Sequence, residues 1–68
     1  MVIYVNDEKR TVEENLLLSN LFPEIGINST IKGVAVAINE RIVMQKKWKS
    51  TILSENDKIL IISATKGG

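Results

Sequence analysis

The chain has 68 residues, nine Lys and Arg against eight Asp and Glu, and neither cysteine nor histidine. That length builds one small domain, which buries only about 60% of the surface its unfolded chain exposes and has an expected stability of roughly 3 to 10 kcal/mol. The missing residue types exclude disulfides, thiolate or imidazole metal sites, cysteine nucleophiles and histidine bases, and a net charge of +1 argues against a general binder of nucleic acid or membrane surfaces.

Met1 to Val5 is a compact β-prone run that turns polar too soon for a signal peptide, and no apolar run approaches the length of a membrane span. The expected location is cytoplasmic. The Asn6-Asp7-Glu8 cluster is a turn signal leading to a second short strand, Lys9 to Val12, so the chain opens with a hairpin. Alternation places Ile3 and Val5 on one face and Val2 and Tyr4 on the other, with Val12 as the apolar anchor of the second strand.

Leu17, Leu18, Leu21, Phe22 and Ile25 recur at spacings of three and four, which predicts a short amphipathic helix. Asn15 is placed to cap it, Glu13 and Glu14 suit its positive end, and Pro23 disfavours helical geometry at Phe22, so the helix is expected to stop near there. Glu24 to Gly33 reads as a loop whose Ile25, Ile27 and Ile31 must pack somewhere. Val34 to Ile38 is the next strand, joined by a two-residue Asn39-Glu40 turn to Arg41-Ile42-Val43. Asn tolerates the positive φ that such a turn needs, and Glu does so less well.

Met44 to Thr51 is polar apart from Met44 and Trp48. Ile52-Leu53 and a Ser54-Glu55-Asn56-Asp57 turn return the chain to a last strand around Ile59 to Ile62, β-branched or aliphatic throughout as a central strand should be. The order β-β-α-β-β-β describes an α+β domain, a mixed sheet of four or five strands with one short helix on one face. Residues 1–62 form that domain and residues 63–68 a flexible tail.

Both faces of two strands are apolar, yet one short helix covers only one face. We place Ile3, Val5, Val36, Ile38, Ile59 and Ile61 against the helix. Ala35, Ala37, Leu60 and Ile62 then form a flat apolar patch for a partner, unless long loops fold over it. The Lys46-Lys47-Trp48-Lys49 cluster offers an aromatic among cations, a combination that stacks bases and holds phosphate. A lone Trp in a small domain is more often a core plug, so nucleic acid is not an expected partner and the lysines serve better as a rim for an acidic surface.

The tail offers the chemistry. Ser63 to Gly68 reaches roughly 20 Å when extended, and Ala64, Thr65, Lys66 and Gly67 carry nothing bulky that would keep it out of a narrow slot. The functional group is then the carboxylate of Gly68, which is ionised at neutral pH and therefore a poor electrophile. Adenylation with ATP would activate it. The chain has no phosphate-binding loop, and its carboxylates are scattered rather than paired as a catalytic dyad, so the activating enzyme must be another protein.

Val34-Ala35-Val36-Ala37-Ile38-Asn39-Glu40 with Ile42-Val43, then Trp48, Leu53, Asp57-Lys58-Ile59, Ile61-Ile62, Ala64 and Gly67-Gly68, resemble the ThiS family of thiamine-biosynthesis sulfur carriers. The first half matches by element order and length. Met44-Gln45 stand where the family often has Pro-Arg, and Asn56 stands where glycine is usual. The resemblance implies a β-grasp, ubiquitin-like fold and a carrier that is not itself an enzyme and binds no cofactor. It further implies a ThiF-like adenylyltransferase that uses ATP on Gly68, a sulfur-transfer enzyme that replaces AMP with sulfur, and a ThiG-like thiazole synthase that takes sulfide from the resulting thiocarboxylate. The small subunit of molybdopterin synthase shares this tail chemistry, and a ubiquitin-like modifier conjugated through Gly68 would need the same ending.

Overall fold

A computed structural model of the chain describes residues 1–27 and 33–63, with the side chain of Ser63 left out. The elements run β1 (Val2–Val5), β2 (Glu8–Thr11), α1 (Leu18–Glu24), β3 (Val34–Ile38), β4 (Arg41–Ile42), a 3-10 helix (Gln45–Ser50) and β5 (Lys58–Ser63). Five strands form one sheet in the order β2-β1-β5-β3-β4. β5 lies at the centre, parallel to β1 and antiparallel to β3, while the two outer pairs are hairpins. This mixed sheet with one short helix is the β-grasp arrangement.

The two hairpins close with the same device. Asn6 and Asp7 have φ of 50° and 71°, and Asn39 and Glu40 have 51° and 72°. A pair of consecutive positive φ values is the type I′ turn, whose twist matches that of the flanking strands. Val5 pairs with Glu8 and Ile38 with Arg41, so each loop has two residues. Glu40 accepts the conformation that the sequence made least favourable for it. Because the first turn is this short, β2 begins at Glu8 rather than Lys9, and Val12 is buried just beyond its end.

The helix departs from expectation at both ends. Its N-cap position is Leu17, with no side-chain cap and no acidic residue in the first turn. Asn15 instead takes a φ of 59° in the preceding turn. Leu17 bridges Ile52, while the Leu18 N–H donates to Thr51 and the Leu53 N–H to Leu16. A short β-like contact thus sets the entry to α1, and Leu16 rather than Leu17 is buried. Pro23 lies inside the helix without ending it. The stop is Gly26, at φ 79°. Its N–H donates to the Pro23 carbonyl at 3.3 Å and the Ile27 N–H donates to Phe22 at 2.9 Å, the two bonds of a Schellman motif.

The core lies between α1 and one face of the sheet. Ile3, Val5, Val36, Ile59 and Ile61 meet Leu18, Leu21 and Phe22 there, with Val34, Ile38, Ile25 and Ile27 packed at its margin. Ile38, expected inside, is only partly buried. Ile31 lies outside the described residues. Met44 to Thr51, read as polar chain, contains the 3-10 helix, which carries Trp48 into the core. The Trp48 and Phe22 ring centroids are 4.8 Å apart, tilted by 47°, and the indole N–H donates to the Val43 carbonyl at 2.9 Å.

Asn39 does more than turn. Its Nδ2 donates to Asp57 Oδ1 and its Oδ1 accepts from the Lys58 N–H, both at 3.0 Å. Asp57 Oδ2 in turn accepts from the Ser54 N–H at 2.8 Å. Asn39→Ala removes two exposed hydrogen bonds and places a Cβ-bearing residue without a polar side chain at positive φ, for an expected loss of about 2 kcal/mol. In a domain of this size that lowers Tm by roughly 10 °C. Asn39→Gly keeps the turn conformation and should recover about half of the loss. Equal Tm values for Asn39→Ala and wild type would remove the turn and its bonds from the stability of the fold.

Candidate functional site

β5 presents different residues to its two faces because strand side chains alternate. Ile59 and Ile61 point into the core, whereas Leu60 and Ile62 are 48% and 55% exposed on the other side. The antiparallel register puts Ala35 opposite Ile62 and Ala37 opposite Leu60. Ala35 is exposed and Ala37 half-buried. The four residues named from the sequence therefore lie together on the sheet face away from α1. Small alanines on β3 leave Leu60 and Ile62 standing clear of their neighbours.

One member escaped the sequence reading. Ile42 pairs with Ala37 and is 75% exposed, so Ile42, Ala37 and Leu60 form a row across β4, β3 and β5. Its signal was the alternation of Ile42 with Val43, which is half-buried and packs against the core. At the turn end of this face a shallow groove of about 510 Å³ is lined by Asp7, Ala37, Asn39, Glu40, Lys58, Ile59 and Leu60. Carboxylates on the two hairpin turns flank it, with Lys58 between. The groove lies by the start of β5, away from the end that leads to the tail.

Trp48 is 4% exposed, which removes its ring from any stacking role. Its burial beside Phe22 also carries the 3-10 helix, with the exposed Lys46, Lys47 and Lys49, to the helix side of the sheet. Those lysines therefore do not rim the apolar patch. Among the described residues no three acidic, histidine or cysteine side chains converge as a metal-binding group, and no polar side chain is buried. No helix among them is long and apolar enough to cross a membrane.

β5 continues through Ser63, which pairs with Val34, so the strand takes in the first residue expected for the tail. The remaining tail positions, Ala64, Thr65, Lys66, Gly67 and Gly68, lie outside the described residues. The root of the tail is thus a central strand, held along β3 to its last residue.

A family model described as the ThiS family matches residues 2–68. The chain belongs to the ThiS family. Members are small sulfur carriers rather than catalysts. Two solved structures share the fold at low identity. A crystal structure of the thiamine biosynthesis protein (ThiS) from Geobacter metallireducens is 21% identical, with a TM-score of 0.82 and full coverage of both chains. An NMR structure of a thiamine biosynthesis protein from the same organism is also 21% identical, with a TM-score of 0.79 over all of this chain and 88% of that one. Among curated proteins none matches.

The structure accounts for two departures from the family pattern. Asn56 has a φ of 67°, a conformation that glycine adopts freely and asparagine tolerates better than most residues. Met44 has a φ of −67°, the value to which proline is locked. The backbone angles at Asn56 and Met44 are ones that glycine and proline, respectively, adopt without strain.

Proposed function

We propose that this chain carries sulfur for the thiazole of thiamine as a thiocarboxylate on Gly68. The observation that carries the reading is the family match, which runs through Gly67 and Gly68 at the end of the sequence. In the proposed cycle a ThiF-like adenylyltransferase joins the Gly68 carboxylate oxygen to the α-phosphorus of ATP, releasing pyrophosphate. A sulfide equivalent from a sulfur-transfer enzyme then displaces AMP at the carbonyl carbon. A ThiG-like thiazole synthase consumes the thiocarboxylate, and the carboxylate returns. Work in the cytoplasm, where ATP is abundant, fits this cycle.

The domain contributes binding and reach rather than chemistry. Ala35, Ala37, Leu60 and Ile62, with Ile42, offer an apolar face that a partner can cover, and β5 carries that face directly into the tail. Ala64, Thr65, Lys66 and Gly67 then thread the slot. The lack of cysteine suits an activated acyl terminus, because no thiol of the carrier competes for it.

The test is intact mass after incubation with ATP, the adenylyltransferase and a sulfur donor. The expected result is an oxygen-to-sulfur increment that disappears when Gly68 is deleted. An unchanged mass with a partner shown to be active, or an increment that survives the deletion, would overturn the reading. Isopeptide adducts on other proteins would instead indicate a modifier.

A further inference from the structure

β1 stops at Val5, opposite Ile59, while β5 continues to Ser63. In a regular parallel ladder the next residue of β1 would donate its N–H to Ile59 and accept from the Ile61 N–H through its carbonyl. Asn6 makes the first of these bonds with its main chain, N–H to the Ile59 carbonyl at 2.8 Å. Its positive φ then begins the turn that takes the main chain away from β5. The side chain supplies what the main chain no longer provides. Asn6 Oδ1 accepts from the Ile61 N–H at 2.8 Å, and Asn6 Nδ2 donates to the Ile61 carbonyl at 3.3 Å.

A single carboxamide therefore replaces one further strand residue and holds both peptide groups of Ile61. Among the described residues it is the last group on the β1 side to hold β5, and the only other support for Ile62 and Ser63 comes from β3. Without it, the segment that leads to Gly68 would be anchored along one edge.

We propose that Asn6 is a positioning residue for acyl transfer at Gly68: its carboxamide fixes the direction in which β5 delivers the tail to the adenylating partner. The inference rests on the carrier reading above. A root held on both edges has already lost the freedom that an unclamped root would have to lose in the partner's slot, so the clamp acts on the reacting geometry rather than on docking.

Asn6→Gly tests it, because glycine keeps the positive φ of the turn and deletes only the carboxamide. Amide hydrogen exchange should accelerate about tenfold or more at Ile61, with Val36 and Leu53 unaffected after correction for global stability. In ATP-pyrophosphate exchange driven by the adenylyltransferase, kcat should fall about tenfold while KM for the carrier stays within about twofold. Ile3→Val, a core substitution remote from the tail root, serves as the stability control and should leave kcat unchanged. Wild-type exchange at Ile61 in Asn6→Gly, an unchanged kcat, or an equal kcat loss in Ile3→Val would each overturn the positioning role. If the wild-type chain supports no exchange of pyrophosphate, the carrier reading itself fails, and the hydrogen-exchange result separates that failure from the loss of the clamp.

Discussion

Trp48→Ala is expected to remove about 3 to 5 kcal/mol of stability, a large share of what the domain has. The indole is 4% exposed, stacks at a tilt on the fully buried Phe22, and donates its N–H to the Val43 carbonyl. Truncating a buried Trp to Ala typically costs about 3 to 5 kcal/mol, and the carbonyl of Val43 loses its partner as well. A chain of this length has roughly 3 to 10 kcal/mol to lose. Trp48 is also the only buried residue of the 3-10 helix, so its removal detaches the whole segment between β4 and the turn before β5. Trp48→Phe separates the two contributions, since it keeps a ring against Phe22 and loses only the N–H bond and some volume; about 1 to 2 kcal/mol is expected for it. Urea denaturation followed by far-ultraviolet circular dichroism reads both variants without relying on tryptophan emission. A cost below about 1.5 kcal/mol for Trp48→Ala would contradict the role of the indole as the plug of the core.

Leu60→Asp is expected to abolish productive docking while leaving the fold in place. Leu60 is 48% exposed and lies beside Ala37 on the central strand of the open face, so the substitution removes little buried area and changes stability by about 1 kcal/mol through strand preference. In the complex the same carboxylate would be covered by apolar partner surface. An unpaired buried charge costs several kcal/mol, and each 1.4 kcal/mol is about a factor of ten. KM for the carrier in adenylation should therefore rise about 100-fold or more. The contrast with Asn6→Gly is informative, because a docking residue acts on KM and a positioning residue on kcat. Ile42→Asp should behave like Leu60→Asp, being in the same row. An unaltered KM for Leu60→Asp, with Tm close to wild type, would show that the partner docks elsewhere.

Much of the site was legible because strand alternation is a local property. Ile59 and Ile61 against Leu60 and Ile62, and Val36 against Ala35 and Ala37, declare two faces without any knowledge of neighbours. The Asn39-Glu40 turn was equally plain, since asparagine is one of the few residues that favours positive φ. The start of the helix was not legible. Its entry is secured by main-chain bonds from Leu18 to Thr51 and from Leu53 to Leu16 rather than by a capping side chain, and such bonds leave no mark in the residues that lead into it. The stop signal was present in Gly26 but was attributed to Pro23. Ile42 was harder to read for a different reason: β4 has two residues, so its single alternation with the half-buried Val43 just beyond the strand is a weak signal.

By itself, the sequence determined the chemistry that is impossible here, the strand content, the two-faced character of β3 and β5, and the family resemblance that points to Gly68. Only the tertiary structure decided that β5 lies between β1 and β3, and hence which groups hold it. Strand pairing brings together residues more than fifty positions apart, such as Asn6 and Ile61. Their match depends on closing a long loop around a shared core and not on any local preference. That is why the asparagines of both turns read simply as turn residues in the sequence. In the fold they also hold the strand that leads to the tail, Asn39 at its first residue, Lys58, and Asn6 at Ile61.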